Sequence, residues 1–158
     1  MEKRMRDHQL SDEETTYLLE NAASGVLATL DEKGSPYCVP VHFVYLDQAI
    51  YVHGLNIGEK IDNIQRDPRV GFTAYTMEKL LYNTDTKSPC NVNTKYQSVV
   101  IKGSAVLVDD TQMKLDILKA IVQKYTPELA SLSIPKSAVL QIAVIKITPA
   151  ICTGKYYL

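Results

Sequence analysis

The sequence has no excess of charge of one sign and no long apolar run. Its 158 residues include 17 lysines and arginines against 18 aspartates and glutamates, which gives a formal net charge of −1. A chain with this balance and an isoelectric point near 6.3 lacks the basic surface that nucleic acid or an anionic membrane requires. No apolar stretch reaches the roughly 18 to 20 residues of a membrane-spanning helix. We therefore expect neither nucleic acid nor a membrane among its partners.

Cysteine is scarce and is not arranged in pairs. The three cysteines, Cys38, Cys90 and Cys152, are far apart, and none has the CxxC spacing of zinc or redox sites. The first eight residues are mostly polar and no apolar segment follows them, so we expect no secretory signal. These features predict free thiols and a reducing, cytoplasmic location.

Several catalytic signatures are also missing. The sequence contains no nucleophile elbow, no paired-glutamate helix motif, no P-loop and no GxGxxG dinucleotide motif. Two histidines, His42 and His53, would lie opposite each other if their strands paired about a turn at Asp47–Gln48. A third ligand at a suitable spacing is absent, so we expect no metal site.

The residues that are present predict one mainly β domain over residues 1–158. A capping box at Ser11 and Glu14 starts the first helix, residues 58–66 form a second, and Asp109–Asp110 cap a third that runs to about Lys124. Extended apolar segments with short polar connections predict antiparallel strands at 25–30, 35–45, 49–54, 69–75, 96–108, 139–147 and 151–157. Six or seven strands interrupted by prolines and glycines favour a closed or split barrel over an open sheet.

Three segments interrupt this regular pattern. Pro40 cannot donate to a ladder, so the second strand is expected to bulge or to lie at an edge there, leaving neighbouring backbone groups free. Residues 77–95 show no sustained period, which predicts a long loop that serves as a lid or pocket wall or is a disordered excursion. Residues 1–10 are expected to form a mobile tail.

One segment has the composition of an anion site. Residues 54–60, Gly-Leu-Asn-Ile-Gly-Glu-Lys, join a strand end to the first turn of a helix. Free amides at a helix start, the helix dipole and the Lys60 ammonium together suit a phosphate group. Glycine before a helix and lysine in its first turn are common, so this segment alone also fits a solvated helix start.

Four segments, in order, resemble a known superfamily. They are residues 26–43 (VLATLDEKGSPYCVPVHF), 50–54 with 58–64 (IYVHG and GEKIDNI), 67–70 (DPRV) and 96–103 (YQSVVIKG). Together they resemble the pyridoxamine 5′-phosphate oxidase-like, FMN-binding split-barrel superfamily, and most closely its nitroimidazole-resistance-protein branch. The resemblance covers residues 10–150, nearly the whole chain. It implies a six-stranded antiparallel split β-barrel, a homodimer, and FMN held in a cleft between the subunits.

The resemblance also implies which residues hold the cofactor. The residues expected to line the isoalloxazine ring, largely through backbone groups, are Val39, Pro40, Val41, His42 and Phe43. His53 and Gly54 would follow the flavin toward its phosphate, which Lys60 would contact. Ser98 lies where the oxidases place a phosphate-side glutamine, and it would reach the same cofactor from the partner subunit.

Two departures from the oxidases bear on the activity. The oxidases usually have Arg-Lys at the phosphate, whereas this chain has Glu59-Lys60. They also carry basic residues for the pyridoxal phosphate substrate near the C-terminus, whereas this chain has no arginine after Arg69. The resemblance therefore does not extend to vitamin B6 oxidation.

The expected function is an FMN-dependent oxidoreductase that passes electrons from a reduced nicotinamide to a small-molecule acceptor such as a nitroaromatic. His42 and Tyr96 are the candidate polar groups near the substrate, with a strand histidine and an interface tyrosine as the ordinary alternatives. No side chain in the sequence is an obligatory acid or base, so a flavin carrier or sensor without turnover stays open. A relative that binds haem or a deazaflavin is a third reading.

Overall fold

Seven strands and four helices form the part of the chain that the structure, a computed structural model, describes, which is residues 6–85 and 87–157. The strands are β1 (Gly25–Leu30), β2 (Pro36–Val41), β3 (Phe43–Leu46), β4 (Ala49–Leu55), β5 (Arg69–Leu81), β6 (Asn93–Leu107) and β7 (Ile142–Tyr157). The helices are α1 (Asp12–Asn21), α2 (Glu59–Arg66), α3 (Thr111–Tyr125) and α4 (Lys136–Gln141), with 3₁₀ turns at Pro89–Asn91 and Pro127–Leu129. The mainly β, antiparallel class is confirmed, with seven strands instead of six and four helices instead of three.

Two of the helices begin where their capping residues predict. The Glu14 amide donates to Ser11 Oγ at 3.2 Å, and the Ser11 amide donates to Glu14 Oε2 at 2.8 Å. At α3 the Met113 amide donates to the Asp110 carboxylate at 2.6 Å. These bonds satisfy donors that the first turn of a helix otherwise leaves without partners.

All seven strands belong to one antiparallel sheet in the order β2-β1-β5-β6-β7-β4-β3. β2 and β3 lie at opposite edges of this sheet, although His42 is the one residue between them in the chain. A single residue spans only about 3.5 Å, so the sheet must curl until its two edges meet at His42. We call this junction the seam. Because β2 pairs with β1 and β3 pairs with β4, the barrel is split there.

Buried side chains pack on both sides of the curled sheet. Inside the barrel the Phe43 and Phe72 rings meet edge to face with centroids 4.9 Å apart. On the other side, Val44 and Val144 pack with Ile117 of α3 in a second cluster that α4 completes. This second cluster holds α3 against β3 and brings the end of α3 to the seam.

A buried polar network fixes α2 on β1. The Asn63 amide donates to Thr29 Oγ1 at 3.0 Å, and both side chains are almost fully buried. Arg66 donates to Asn63 Oδ1 at 2.6 Å and to the Leu30 carbonyl at 2.8 Å. Since each buried polar group has a partner, the network holds α2, and with it the first-turn Lys60, in one position.

The strand predicted over 35–45 follows the predicted path but is divided. Its first part pairs with β1 and its second with β4, and the division falls at His42 instead of at Pro40. Pro40 is tolerated within β2 because β2 is an edge strand, as the sequence predicts. The turn at Asp47–Gln48 has positive φ at both residues, which matches the twist of a two-residue hairpin.

Two other predicted segments are corrected. The irregular segment over 77–95 is shorter than predicted, because β5 continues to Leu81 and β6 begins at Asn93. Residues 139–141 are helical, and the predicted strands 139–147 and 151–157 form one strand, β7. Val139 is buried against α3, and a short apolar run cannot be assigned to helix or strand by its periodicity.

Part of the N-terminal segment packs on the sheet. Of the predicted mobile tail, residues 1–5 lie outside the described residues, whereas residues 8–10 pack along β7 with Leu10 N–H donating to the Gly154 carbonyl at 3.1 Å. All three cysteines are free thiols. Within residues 6–85 and 87–157, none of the helices has the length and apolar character needed to cross a bilayer. The same residues contain no group of three or more His, Cys, Asp or Glu side chains that could hold a metal ion.

Candidate functional site

The candidate anion site lies where β4 ends and α2 begins. Gly58 precedes the helix with φ of 120°, a conformation that side-chain-bearing residues rarely adopt, and no side chain caps the helix. The amides of Glu59 and Lys60 stand too early in the helix to find an intrahelical acceptor. The amino end of α2 therefore presents free donors and the positive end of the helix dipole.

The Lys60 side chain folds back over the end of β4. A Cβ placed on Gly54 would lie 2.8 Å from Lys60 Nζ and 3.2 Å from its Cε, so a larger residue at position 54 would displace the lysine. Gly54 thus allows a cation to lie directly against the strand. The structure brings together two residues that the sequence places six positions apart.

His53 adds a buried nitrogen to this group. Its Nδ1 atom is buried and has no hydrogen-bond partner in the structure as described. Burial lowers the pKa of His53 below its usual value near 6.5, and His42 and Lys60 lower that pKa further. Because burial and two nearby basic groups all disfavour the imidazolium, His53 is neutral at pH 7 and can accept or donate one hydrogen bond.

This pKa shift predicts a pH dependence of stability. As the pH falls past about 6.5, His53 takes up a proton in the unfolded chain but not yet in the folded chain, because its pKa is lower there. His53 therefore contributes to the free energy of unfolding above that pH. This contribution is lost as the pH falls toward the lower folded pKa. Urea unfolding from about pH 8 to about pH 5 should therefore show a steeper loss of stability for the wild type than for His53→Gln. Parallel curves for the two proteins would contradict the assignment.

At the seam, the last residue of α3 contacts the predicted ring-binding strand. The Phe43 amide donates to the Tyr125 hydroxyl at 2.9 Å, and that hydroxyl donates to the Phe43 carbonyl at 3.0 Å. The Tyr125 ring stacks on His42 with centroids 4.3 Å apart and an interplanar angle of 23°. Both backbone groups of Phe43 are thus occupied, and its side chain is fully buried in the core. The role in lining the ring that the resemblance implies for Phe43 stays a prediction, and in this structure its backbone groups and side chain contact other parts of the chain.

The residue before Tyr125 also contacts Phe43. Lys124 Nζ lies 4.1 Å from the centroid of the Phe43 ring and 5.4 Å from that of Tyr125. This nitrogen is buried and has no hydrogen-bond partner within the described ranges. Burial lowers the pKa of Lys124, and Glu20 opposes that shift. A cation over an aromatic face is the attraction that holds the ammonium in place.

Pro40, Val41 and His42 line a small open cavity at the seam. With Ser24 they enclose about 250 Å³, and Pro40 and His42 are exposed to solvent. Val39 is half-buried on β2 opposite Leu27. The strand before Phe43 is therefore accessible to a ligand where Phe43 is not.

Ser98 and Tyr96 lie elsewhere in the chain. Both are on β6, where Ser98 pairs with Lys155 and Tyr96 with Tyr157. His53 pairs with Val144 of the same strand β7, so about eleven residues of β7 separate it from the Ser98 position and about thirteen from the Tyr96 position, roughly 35–45 Å along the strand. Within one chain, the structure brings together His42, His53, Gly54 and Lys60 but not Ser98 or Tyr96.

Comparison with known proteins identifies the family. The family model described as pyridoxamine 5′-phosphate oxidase matches residues 11–156, nearly the whole chain. The chain belongs to this family. No curated protein sequence matches the chain significantly.

Solved structures of the same fold agree with this membership. A Bacteroides thetaiotaomicron protein named for 5-nitroimidazole antibiotic resistance is 25% identical with a TM-score of 0.81, covering 93% of this chain and 85% of that chain. The flavocytochrome Anf3 of Azotobacter vinelandii is 20% identical, with a TM-score of 0.83 over 99% of this chain and 72% of its own. A Mycobacterium smegmatis protein described as binding FAD and haem is 14% identical, with a TM-score of 0.83 over 94% and 73%. The last two show the fold alone.

Sequence reasoning missed Lys124 and Tyr125. Both are the last residues of α3, and neither lies in one of the four segments that carry the resemblance. The one local signal is a tyrosine at the last helical position before Thr126-Pro127, where the helix must end. That signal does not reveal a contact with Phe43, which lies 82 positions earlier in the chain.

Proposed function

We propose that this protein binds FMN at the end of β4 and the start of α2 and acts as an oxidoreductase. The observation that carries the proposal is the Lys60 ammonium lying against Gly54 beside the unpartnered Nδ1 of His53. A phosphate group would supply the anion that Lys60 and the free amides of α2 lack, and a hydrogen-bonding partner for the buried nitrogen.

The charges around the site fit a monoester phosphate, with one opposing feature. Lys60 and the helix dipole favour an anion, whereas Glu59 and Asp62 are acidic residues of the same first turn. Those two carboxylates line a separate cavity of about 360 Å³ with Asp31 and Arg66, on the side of α2 that faces the β1–β2 turn. The residues present therefore fit the phosphate, with less positive charge than an Arg-Lys pair would provide.

The ring of FMN would lie along the strand that leads to the seam. Val39, Pro40 and Val41 offer an edge strand and His42 a polar side chain, and the cavity beside them is open to a small substrate. When bound, FMN supplies the two-electron redox chemistry, and the chain binds it, orients it and limits the access of water. His42, next to that cavity, is the candidate polar group for the substrate.

We further propose that the electrons come from a reduced nicotinamide and go to a small acceptor such as a nitroaromatic. The support is the likeness, at 25% identity, to the structure named for 5-nitroimidazole antibiotic resistance. Vitamin B6 oxidation is not proposed, because the chain has no arginine after Arg69 with which to hold a second phosphate.

Two spectroscopic steps test this function. Purified protein is first titrated with FMN, and we expect saturable quenching of the flavin fluorescence. The complex is then mixed with NADH or NADPH without oxygen, where rapid bleaching of the bound flavin is expected, followed by reoxidation when a nitroaromatic is added. No binding of FMN would refute the proposal, whereas binding without bleaching by either donor would favour a carrier or sensor.

A haem or deazaflavin ligand is the second candidate. His42 is near enough to influence the pKa of His53, and two structures of this fold are named for haem or a cytochrome. Mass spectrometry of the extracted ligand distinguishes these candidates. A haem or deazaflavin mass in place of FMN would replace the proposed cofactor.

We also propose that the protein is a homodimer with the cofactor cleft between the subunits. The outer face of β5, β6 and β7 exposes the apolar side chains of Tyr75, Met77, Val100 and Ile151. The strand pairings put Ser98 between Tyr75 and Lys155 on this face. A second copy covering the face would bury the apolar side chains, and it could bring Ser98 and Tyr96 to the flavin of the partner.

Val100→Lys is expected to weaken this dimer. The substitution places a charge in the middle of the apolar face, and burying it without a partner should raise the dissociation constant at least about tenfold. Sedimentation velocity over a range of concentrations measures the change, and Leu132→Lys, at an exposed leucine beyond α3, is the matched control. An unchanged dissociation constant for Val100→Lys would exclude this face as the interface.

A further inference from the structure

The end of α3 makes three separate contacts with two consecutive residues of the seam. The Tyr125 hydroxyl bonds both backbone groups of Phe43, the Tyr125 ring stacks on His42, and Lys124 Nζ lies over the Phe43 ring. No other helix of the described chain has a side chain bonded to the seam backbone. All three contacts come from Lys124 and Tyr125, the last two residues of α3.

The Phe43 backbone needs such a partner because of the way the sheet closes. Phe43 begins β3 and pairs with Val52, while its other edge faces the split, where no strand follows. The amide and carbonyl on that edge would otherwise require water, although the Phe43 side chain is fully buried. One hydroxyl both accepts from the amide and donates to the carbonyl, which satisfies the open edge and fixes the backbone of the residue after His42.

We infer that Tyr125 is the positioning residue of the cofactor site. Its hydroxyl fixes the chain at Phe43 and its ring sets the plane of the His42 imidazole, so α3 determines how His42 and the strand before it are presented to the flavin ring. This inference rests on the proposed function for the identity of the ligand. It concerns the ring end of the site, whereas Lys60 concerns the phosphate end.

The bonds of Tyr125 also limit which residues can contact the ligand. Because Tyr125 occupies both backbone groups of Phe43, polar contacts to the ring come from His42 and earlier residues. The orientation of His42 is then set by a residue that itself makes no contact with the ligand. Removing the Tyr125 hydroxyl should change the surroundings of the bound ring without changing the phosphate contact.

Tyr125→Phe tests this by keeping the stacked ring and removing both hydrogen bonds. In the protein without ligand, the Phe43 amide should exchange its hydrogen at least about tenfold faster than in the wild type, while the amides of Ile50 and Val52 keep their protection. With FMN at saturation, the visible circular dichroism of the flavin should change. The ratio of the dissociation constants for oxidised and reduced FMN should shift about two- to tenfold.

Two control variants separate positioning from general loss of stability. Tyr17→Phe removes the hydroxyl of a tyrosine that is 66% exposed and should leave every readout unchanged. Lys124→Met removes the charge over the Phe43 ring but keeps the Tyr125 bonds, so the Phe43 amide should stay protected. Equal acceleration in Lys124→Met and Tyr125→Phe would show a general loosening of the helix end and would overturn the inference.

The outcomes also separate this inference from the proposed function. If wild-type protein binds no flavin, the proposed function fails, and the cofactor role of Tyr125 fails with it, whatever the Phe43 amide shows. If FMN binds and Tyr125→Phe has wild-type amide exchange, dichroism and redox ratio, the inference alone is overturned. Faster exchange of the Phe43 amide together with a changed dichroism and redox ratio supports it, whereas faster exchange without either flavin change overturns it.

Discussion

Lys60→Ala is expected to weaken FMN binding roughly ten- to hundredfold. The substitution removes the ammonium that lies against Gly54, and a charge-assisted bond to a phosphate contributes about 1.5–3 kcal/mol. Riboflavin, which has the same ring and no phosphate, should bind the wild type and the variant equally well. Fluorescence quenching titrations with both ligands measure the difference.

The comparison of the two ligands makes this prediction specific to the phosphate end. Lys119→Ala is the matched control, since Lys119 is an exposed lysine of α3 whose nearest carboxylate, on Asp116, is 4.0 Å away. An unchanged dissociation constant for FMN in Lys60→Ala would show that the phosphate binds elsewhere. An equal loss for FMN and riboflavin would mean that Lys60 contacts the ring or supports the fold.

Phe72→Ala is expected to lower the free energy of unfolding by about 3–5 kcal/mol, the usual cost of truncating a buried phenylalanine. Phe72 is 2% exposed, and its ring packs edge to face on Phe43, the one other phenylalanine in the chain. The packing is tight on the other side as well, because a Cβ on Gly25 would lie 2.3 Å from the Phe72 ring. Urea unfolding at one fixed protein concentration measures the loss, since a dimer's apparent stability depends on concentration.

Two further variants calibrate this result. Phe72→Leu keeps most of the buried volume and should lose clearly less than Phe72→Ala. Leu132→Ala changes a side chain that is 66% exposed and should stay within about 0.5 kcal/mol of the wild type. A loss below about 1 kcal/mol for Phe72→Ala would mean that the barrel core is not packed around the two phenylalanine rings.

Short sequence motifs correctly predicted where the helices that contain them begin. The capping box of Ser11 and Glu14 and the cap at Asp110 act within three residues, and α1 and α3 begin where these caps place them. The bounds of β1 follow in the same way from the short-range pattern of apolar residues. The residues of the candidate phosphate site are also local, because a strand end, Gly58 and Lys60 adjoin in the chain.

Predictions failed where neighbours in space decide the outcome. Residues 139–141 are helical because Val139 packs on α3, and β7 is one strand because β6 pairs with both of its halves. β5 and β6 extend into the segment predicted as a loop because they pair with each other there. The alternation of apolar and polar residues is weak in both strands at this point, so the sequence does not reveal the pairing. Tertiary packing overrides propensity at such positions.

By itself, the sequence determined a mainly β antiparallel barrel of the pyridoxamine 5′-phosphate oxidase family, and the strand-to-helix segment with Lys60, because periodicity, caps and short motifs act over a few residues. The tertiary structure alone decided that the barrel closes at His42 and that Lys60 lies against Gly54 beside an unpartnered His53 nitrogen. It alone joined Tyr125 to Phe43. The physical reason is that the unpaired backbone N–H and C=O groups of an edge strand need hydrogen-bond partners. Those partners are residues that lie close in the folded chain, and they can be far away in the sequence.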